Sequence, residues 1–244
     1  MSLAKLYCKE IIRQMDRIPV YIPGRKIELG DVIIFPNNKN RPIGDYQRET
    51  NLKNFGIEFA DIKDESPDPY DFSSKRGVSF TFNPEVNAGN PGKGELDITF
   101  SKEGASFLKA IKCTEHSIND VTQLKEDLRP YQGRLDWGNY FIVYSITVAE
   151  RALIMQSASS SGGLKLKGDV KGFQVGSTEN LSAGINFEIT FTKDAAFLKD
   201  WSPDVAVFMR LVRYHPNRNK LVFESNEDIY DMSYIDPAML LEEG

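Results

Sequence analysis

The sequence predicts an α+β protein with a largely antiparallel, twisted β-sheet and short peripheral helices. Apolar and polar residues alternate over residues 78–88, and the same alternation returns over residues 185–192. A period of two is typical of strands with one face on a core and the other in water. The most apolar segment, residues 140–155, predicts a long buried strand at the centre of the sheet.

The first elements along the chain are predicted to be a short helix and two strands. Apolar residues recur every four positions from Leu3 to Met15, which predicts a helix, and Pro19 prevents that helix from continuing. Residues 18–22 and 26–35 predict two strands on either side of a Pro-Gly turn.

Later segments predict a loop, a second helix and a closing pair of strands. Residues 61–70 are acidic and contain proline, so we expect a surface loop there. An apolar stripe predicts a helix over residues 117–128. Residues 206–214 and 221–223 predict strands that flank the turn at residues 215–217.

Two hairpins carry the alternating pattern, and it permits two interpretations. One is an ordinary sheet with one wet face; the other is a set of strands that leaves the soluble fold and crosses a bilayer as a closed barrel. A spanning strand needs about 9–11 residues. Residues 78–88 and 163–175 are long enough, whereas residues 95–101 and 184–193 are marginal. The apolar positions are Val78, Phe80, Phe82, Leu96, Ile98, Phe100, Leu164, Leu166, Ile185, Phe187, Ile189 and Phe191.

The two hairpins belong to an internal repeat. Residues 98–103 (ITFSKE) are echoed by residues 189–194 (ITFTKD), and Phe-Leu-Lys follows at 107–109 and at 197–199. The chain therefore contains two similar units, each made of a strand, a turn, a second strand and Phe-Leu-Lys.

Composition and charge argue against several classes of protein. A net charge of −5 over 244 residues argues against a nucleic-acid-binding protein. The two cysteines, Cys8 and Cys113, are too few for a disulfide framework and fit a reducing compartment. Charges run through the first 20 residues, so we expect no secretory signal and a cytoplasmic protein.

Catalytic motifs are weak in this sequence. There is no Gly-x-Ser-x-Gly elbow, and the glycine-rich residues 89–94 do not complete a phosphate-binding loop. His116 and His215, the only histidines, lack a cysteine or carboxylate at metal-ligand spacing. We therefore expect no enzyme, no metal and no cofactor. A hydrolase that uses Cys113 and His116 stays an alternative, and it requires the two side chains within hydrogen-bond reach.

Cys8 has two interpretations. It shares a face of the predicted helix with Ile11 and Met15, as a small buried side chain would. It is also flanked by Lys5 and Lys9, and a cysteine in an amphipathic segment with adjacent lysines is a candidate for S-acylation.

The C-terminal residues differ in charge from the rest of the chain. Residues 221–244 contain seven acidic residues and no lysine or arginine. Without them the chain has 30 basic and 28 acidic residues, so the net charge changes from −5 to +2. An ordinary C-terminal helix would explain this composition as well. A membrane-targeting switch would require a detachable acidic tail on a cationic body, and we predict a body of residues 1–220 covered by a tail of residues 221–244. The apolar tail residues suited to docking are Ile229, Tyr230, Tyr234, Ile235, Leu240 and Leu241.

Several features also occur in a distinctive order along the chain. They are Cys8, the segment 18–23 (IPVYIP), residues 27–29 (IEL), Ile43-Gly44, the central strand 140–155, and a closing segment from residue 189 through Phe208, Leu211 and Tyr214. In this layout most of the chain resembles the bacterial gasdermins, small cytosolic pore-forming proteins of antiphage defence. In that family an N-terminal cysteine is palmitoylated.

The resemblance implies a gasdermin N-domain-like fold and an autoinhibited pore former. A caspase-like or trypsin-like protease would remove the tail, and the cut is expected in the region Arg218, Asn219, Lys220 and Leu221. The freed body would bind membrane lipids, form a self-oligomer in the inner membrane and cause cell death. Palmitate on Cys8 would be its covalent lipid. The alternative from another class is a soluble antiparallel-sheet binding or adaptor module without membrane activity.

Overall fold

The computed structural model describes residues 2–15, 17–36, 41–65, 70–73, 77–84, 93–173, 187–193 and 195–224. These residues form two α-helices and thirteen strands. They are α1 (Leu3–Met15), β1 (Ile18–Pro19), β2 (Asp31–Ile34), β3 (Gln47–Asn51), β4 (Asp61–Asp64), β5 (Tyr70–Ser73), β6 (Val78–Pro84), β7 (Lys93–Phe100), β8 (Ser106–Ile118), α2 (Val121–Leu128), β9 (Phe141–Ser157), β10 (Gly163–Asp169), β11 (Phe187–Lys193), β12 (Ala195–His215) and β13 (Lys220–Phe223).

A nine-stranded antiparallel sheet is built around β9, which confirms the coarse α+β prediction and its central strand. Strand β12 pairs along one edge of β9. The other edge of β9 pairs with β8 and, near its start, with β2. Strands β1 and β13 extend the sheet beyond β12, β3 lies beyond β2, and β4 and β5 lie beyond β8. We call this the large sheet.

A second sheet contains four strands in the order β6-β7-β10-β11, and we call it the small sheet. The two predicted hairpins, β6–β7 and β10–β11, are its halves, and β7 pairs with β10 to join them. Four chain segments take part in both sheets, because β5, β7, β9 and β11 each lie in one sheet and the strands that follow them, β6, β8, β10 and β12, lie in the other.

The internal repeat follows from this arrangement. In both units a small-sheet strand, β7 or β11, leads into a large-sheet strand, β8 or β12, on either side of β9. Phe107 of the first unit and Phe197 of the second pair with the same residue, Met155 of β9. Equivalent positions of the two repeats therefore flank the central strand.

Consecutive residues of β8 and β9 face two different cores. Leu108 and Ile154 belong to a core that also contains the buried face of α1, which we call core 1. Phe107 and Met155, each one position away, belong to a core with the small sheet, which we call core 2. Because side chains alternate along a strand, the middle of the large sheet is buried on both faces.

The helical predictions are confirmed in part. Helix α1 spans Leu3–Met15 as expected. The predicted helix over residues 117–128 is wrong at its start, because Ser117 and Ile118 belong to β8. Helix α2 begins at Val121, where the carboxylate of Asp120 accepts a hydrogen bond from the backbone of Gln123 and caps the first turn. Neither helix has the length and apolar character required of a membrane-crossing helix, within the part of the chain described.

Several strand predictions differ from the structure. The loop expected over residues 61–70 is wrong in its first part, because Asp61–Asp64 pairs with β8 as strand β4. The strand expected over residues 26–35 is limited to Asp31–Ile34. Within the described residues β6, β10 and β11 have seven residues and β7 has eight. Residues 85–88, 174–175 and 184–186 of the predicted hairpin strands lie outside the described residues.

Packing of the small sheet is tested by Leu166→Ala. Leu166 is fully buried in core 2 opposite Leu96, so its truncation is expected to lower the free energy of unfolding by about 2–5 kcal/mol. Lys167→Ala, the adjacent exposed position, is the control and is expected to change it by about 0.5 kcal/mol or less. Urea denaturation followed by circular dichroism measures both, and equal losses would contradict the assigned faces.

Candidate functional site

The bend between β7 and β8 is a compact turn of residues 101–105. The backbone N–H of Ser101 donates to the carbonyl of Gly77, and the N–H of Ala105 donates to the carbonyl of Lys102. Gly104 has a φ of +77°, a left-handed conformation that favours glycine. A Cβ at Gly104 would lie 2.5 Å from Cδ1 of Leu6, so α1 packs directly on this bend.

Gln156 links the same bend to the start of α1. Its fully buried side-chain amide donates to the carbonyl of Leu3 at 2.9 Å and to that of Gly104 at 3.2 Å. One side chain of β9 therefore holds two other segments together. An isolated glutamine in an apolar strand carries no sequence signal for this role, so Gln156 was not predicted.

The bend between β9 and β10 lies beside the first one. The N–H of Gly104 donates to the carbonyl of Ser157, and the N–H of Ser157 donates to the carbonyl of Ala105. The N–H of Phe100 donates to the carbonyl of Gly162. We call β7–β8 and β9–β10 the inner segments, because they are the middle two of the four. Both bend from the small sheet into the large sheet at the same position along their paired strands.

The two inner segments also keep one register through their bends. In the small sheet Thr99 pairs with Gly163, and in the large sheet Ser106 pairs with Gln156. The step from the first pair to the second is seven residues on each segment. Because the steps are equal, the two ladders are parts of one ladder that is folded over.

Most of the residues predicted to form the apolar face of the hairpins lie on the side of the small sheet that packs on core 2. The members that are 2% exposed or less are Leu96, Ile98, Phe100, Leu164 and Leu166. The partly buried members packed on core 2 are Val78, Phe80, Phe82, Phe187 and Ile189. Phe191 is 49% exposed, and Ile185 lies outside the described residues.

Aromatic rings join the small sheet to the large one. The rings of Phe80 and Phe107 meet edge to face at 5.5 Å between centroids. Phe173, Phe187 and Trp201 form a second cluster, with Phe173 at 4.8 Å from Phe187 and 4.9 Å from Trp201. Such pairs contribute about 0.5–1.5 kcal/mol beyond their burial. Phe173 and Trp201 were not identified from sequence.

Cys8 lies in core 1 and is 1% exposed. The pKa of its thiol is raised to about 12, chiefly by burial; a hydrogen bond from the backbone of Gly44 lowers it and the nearby Asp45 carboxylate raises it. The thiol is therefore protonated and covered in this state. Acylation of Cys8 stays a prediction, and it requires α1 to move away from the core.

Cys113 and His116 both line a surface cavity of about 520 Å³. Burial raises the pKa of the Cys113 thiol to about 11, which disfavours the thiolate that a nucleophile needs. The imidazole Nδ1 of His116 lies 2.9 Å from Oδ2 of Asp61 on β4, and this contact orients it. These observations give no support to the hydrolase alternative.

The predicted cleavage region is held by the body. Tyr214 donates its hydroxyl hydrogen to Oδ1 of Asn219 at 2.9 Å, and the Asn219 amide reaches Glu126 of α2 at 3.5 Å. Arg218 ends a short 3₁₀ turn, whereas Lys220 and Leu221 belong to β13 and pair with β12. A cut after Arg218 would fall in a turn, and a cut after Lys220 would fall in a ladder.

The start of the predicted tail is part of the large sheet. Strand β13 includes Leu221 of the tail, and Glu224 forms an ion pair with Arg213 at 3.1 Å. Glu224 also lines a cavity of about 380 Å³ with Arg17 and Arg210. The remaining tail positions named above, from Ile229 to Leu241, lie outside the described residues.

No protein-family model and no curated protein matches this sequence. The resemblance to the bacterial gasdermins therefore stays a prediction. Support for a function comes from the two folded hairpins and their matched register.

The burial of Cys8 predicts a slow thiol reaction. In the Cys113→Ala variant, where Cys8 is the only cysteine, modification by a disulfide reagent at pH 8 is expected to be at least about 100-fold slower than in urea-unfolded protein. The Cys8→Ala variant gives the rate of Cys113 as the matched comparison. A Cys8 rate equal to that of unfolded protein would contradict its position in core 1.

Proposed function

We propose that this protein is an autoinhibited pore former. Proteolytic removal of its C-terminal tail lets the body bind membrane lipids, oligomerise in the inner membrane and cause cell death, in antiphage defence. Before cleavage it resides in the cytoplasm. The observation that carries this proposal is the single folded ladder of β7–β8 and β9–β10.

Opening the bends would lengthen the strands without a change of register. The described part of β7 has eight residues, fewer than the about 9–11 needed to span a bilayer. Joined through its bend to β8, the segment runs from Lys93 to Ile118 and exceeds that length. Since Thr99–Gly163 and Ser106–Gln156 belong to one ladder, straightening needs no slip between the inner segments.

The even number of segments would allow neighbouring copies to pair through their edge segments and close a barrel. The four segments β5–β6, β7–β8, β9–β10 and β11–β12 alternate in direction, so the first and last run in opposite directions. A segment β11–β12 of one copy can therefore pair antiparallel with β5–β6 of the next. Closure of this kind satisfies the backbone hydrogen bonds at both edges, as a lipid environment requires.

Hydrophobic burial supports both states. In water the apolar side chains of the small sheet are buried in core 2 against β8 and β9. In a membrane the same side chains would face hydrocarbon, and the polar side chains of the opposite face would line water. Insertion would thus replace one apolar environment by another.

Charge and contacts at the C-terminus support the autoinhibition. Loss of residues 221–244 makes the body cationic, which favours binding to anionic lipid. It also removes β13 and the Glu224 carboxylate that pairs with Arg213. The activating protease is caspase-like or trypsin-like. Palmitate on Cys8 would add a membrane anchor once α1 has left core 1.

The proposal is tested by dye release from anionic liposomes. A protease recognition sequence inserted after Lys220 allows residues 221–244 to be cut from the body on demand. Release is expected only after cutting, because the tail holds the body in its folded-over state. If the cut body stays folded and releases no dye, the pore-forming function is wrong, and the soluble binding module becomes the better explanation.

A disulfide at the bend tests whether opening is required. A Cβ at Gly77 would lie 2.6 Å from Cβ of Ala105, so Gly77→Cys with Ala105→Cys closes the bend after a small backbone shift. In a straight strand Ala105 lies about 13 Å from Ser101, the residue that contacts Gly77. We expect no release when the disulfide is oxidised and restored release when it is reduced.

The matched control is a disulfide that does not cross the bend. Ser79 and Thr99 are direct partners in the β6–β7 ladder and stay paired when the bend opens. Ser79→Cys with Thr99→Cys is therefore expected to release dye in both redox states. Equal release by the oxidised Gly77–Ala105 disulfide would show that the bend does not open.

A further inference from the structure

The seam between the two hairpins carries opposite charges in three successive rows. On the outer face of β7 and β10, Lys93 pairs with Asp169, Glu95 with Lys167, and Asp97 with Lys165. Directly opposite charges on neighbouring strands attract each other. We call these six residues the charged seam.

Contacts across the charged seam run diagonally as well as straight. The ammonium nitrogen of Lys165 lies 2.6 Å from Oε1 of Glu95 and 3.5 Å from Oδ1 of Asp97. These side chains are about one third exposed, and the intervening Leu96 and Leu166 are buried on the other face. The seam is therefore in water while the inner face of the same strands is in core 2.

In the proposed pore the outer face of β7 and β10 would be in contact with the water of the channel. An apolar strand face must meet lipid in a spanning sheet, so the opposite face meets the water of the channel. We propose that the charged seam lines the channel, and that its lysines offset its carboxylates so that the pore distinguishes little between small cations and small anions. Lys165 and Lys167 are the residues that set this balance.

The charge count of the seam agrees with weak selectivity. Lys93, Lys165 and Lys167 oppose three carboxylates, those of Glu95, Asp97 and Asp169. The charges of the seam therefore balance. Removal of the two β10 lysines leaves one cation against three carboxylates and makes the seam negative.

Ion permeability across planar bilayers tests this inference. With the cut protein at about 10 mM salt, where the Debye length is about 30 Å, the wild-type permeability ratio of K⁺ to Cl⁻ is expected within about twofold of one. Lys165→Gln with Lys167→Gln is expected to raise this ratio at least about threefold. Glutamine keeps the side-chain length and avoids a further carboxylate beside Glu95.

A control with the same change of charge lies elsewhere on the body. Lys26 pairs with Glu28 at 2.9 Å and Lys125 with Glu126 at 3.0 Å, so Lys26→Gln with Lys125→Gln removes two ion-paired lysines away from the seam. This variant is expected to keep the wild-type ratio. Glu95→Gln with Asp97→Asn is expected to shift the ratio in the opposite direction, toward Cl⁻.

The outcomes separate this inference from the function on which it rests. Absence of any conductance or dye release from cut wild-type protein overturns the pore function and the seam with it. Conductance with a strongly selective wild type, or with equal shifts in the seam and control variants, overturns the seam alone. Opposite shifts from the lysine and carboxylate variants, with an unchanged control, support it.

Discussion

Contact between the small sheet and strands β8 and β9 is the constraint on which the rest of the structure depends. It buries Leu153 and Met155 of β9 in core 2, while Ala152 and Ile154 of the same strand are buried in core 1. A strand buried on both faces needs apolar side chains at nearly every position. The small sheet in turn requires the bends, and the bends require Gly104 and the Gln156 amide.

Sequence predicted the strands whose burial differs between two faces and the one strand that is apolar along most of its length. The hairpin strands have one wet face, so their alternation was visible, and β9 was visible as a long apolar segment. Strand β8 was not predicted, because its two faces meet two cores and its buried residues include Ser106 and Lys109. Strand β4 was taken for a loop, since its four residues are exposed and only pairing with β8 makes them a strand.

The candidate site was predicted in composition and not in geometry. The repeat indicated two similar units, and most of their apolar positions are buried together in core 2. The pairing of β7 with β10 is a contact between distant parts of the chain, and local alternation carries no information on its register. The same limit applies to Gln156, whose partners Leu3 and Gly104 are far away in sequence.

The faces of the folded ladder limit how its bends can open. Leu96, Ile98 and Phe100 face core 2 at even positions, whereas Phe107 and Ile111 face it at odd positions. The bend thus changes which alternate set faces inward, and β9–β10 makes the same change between Met155 and Leu164. Fully regular strands would turn Phe107 and Met155 toward the water-lined side, where exposed apolar area is unfavourable. Straightening that retains one bulge per segment avoids this cost and preserves the register, because both segments change face between the same two rows.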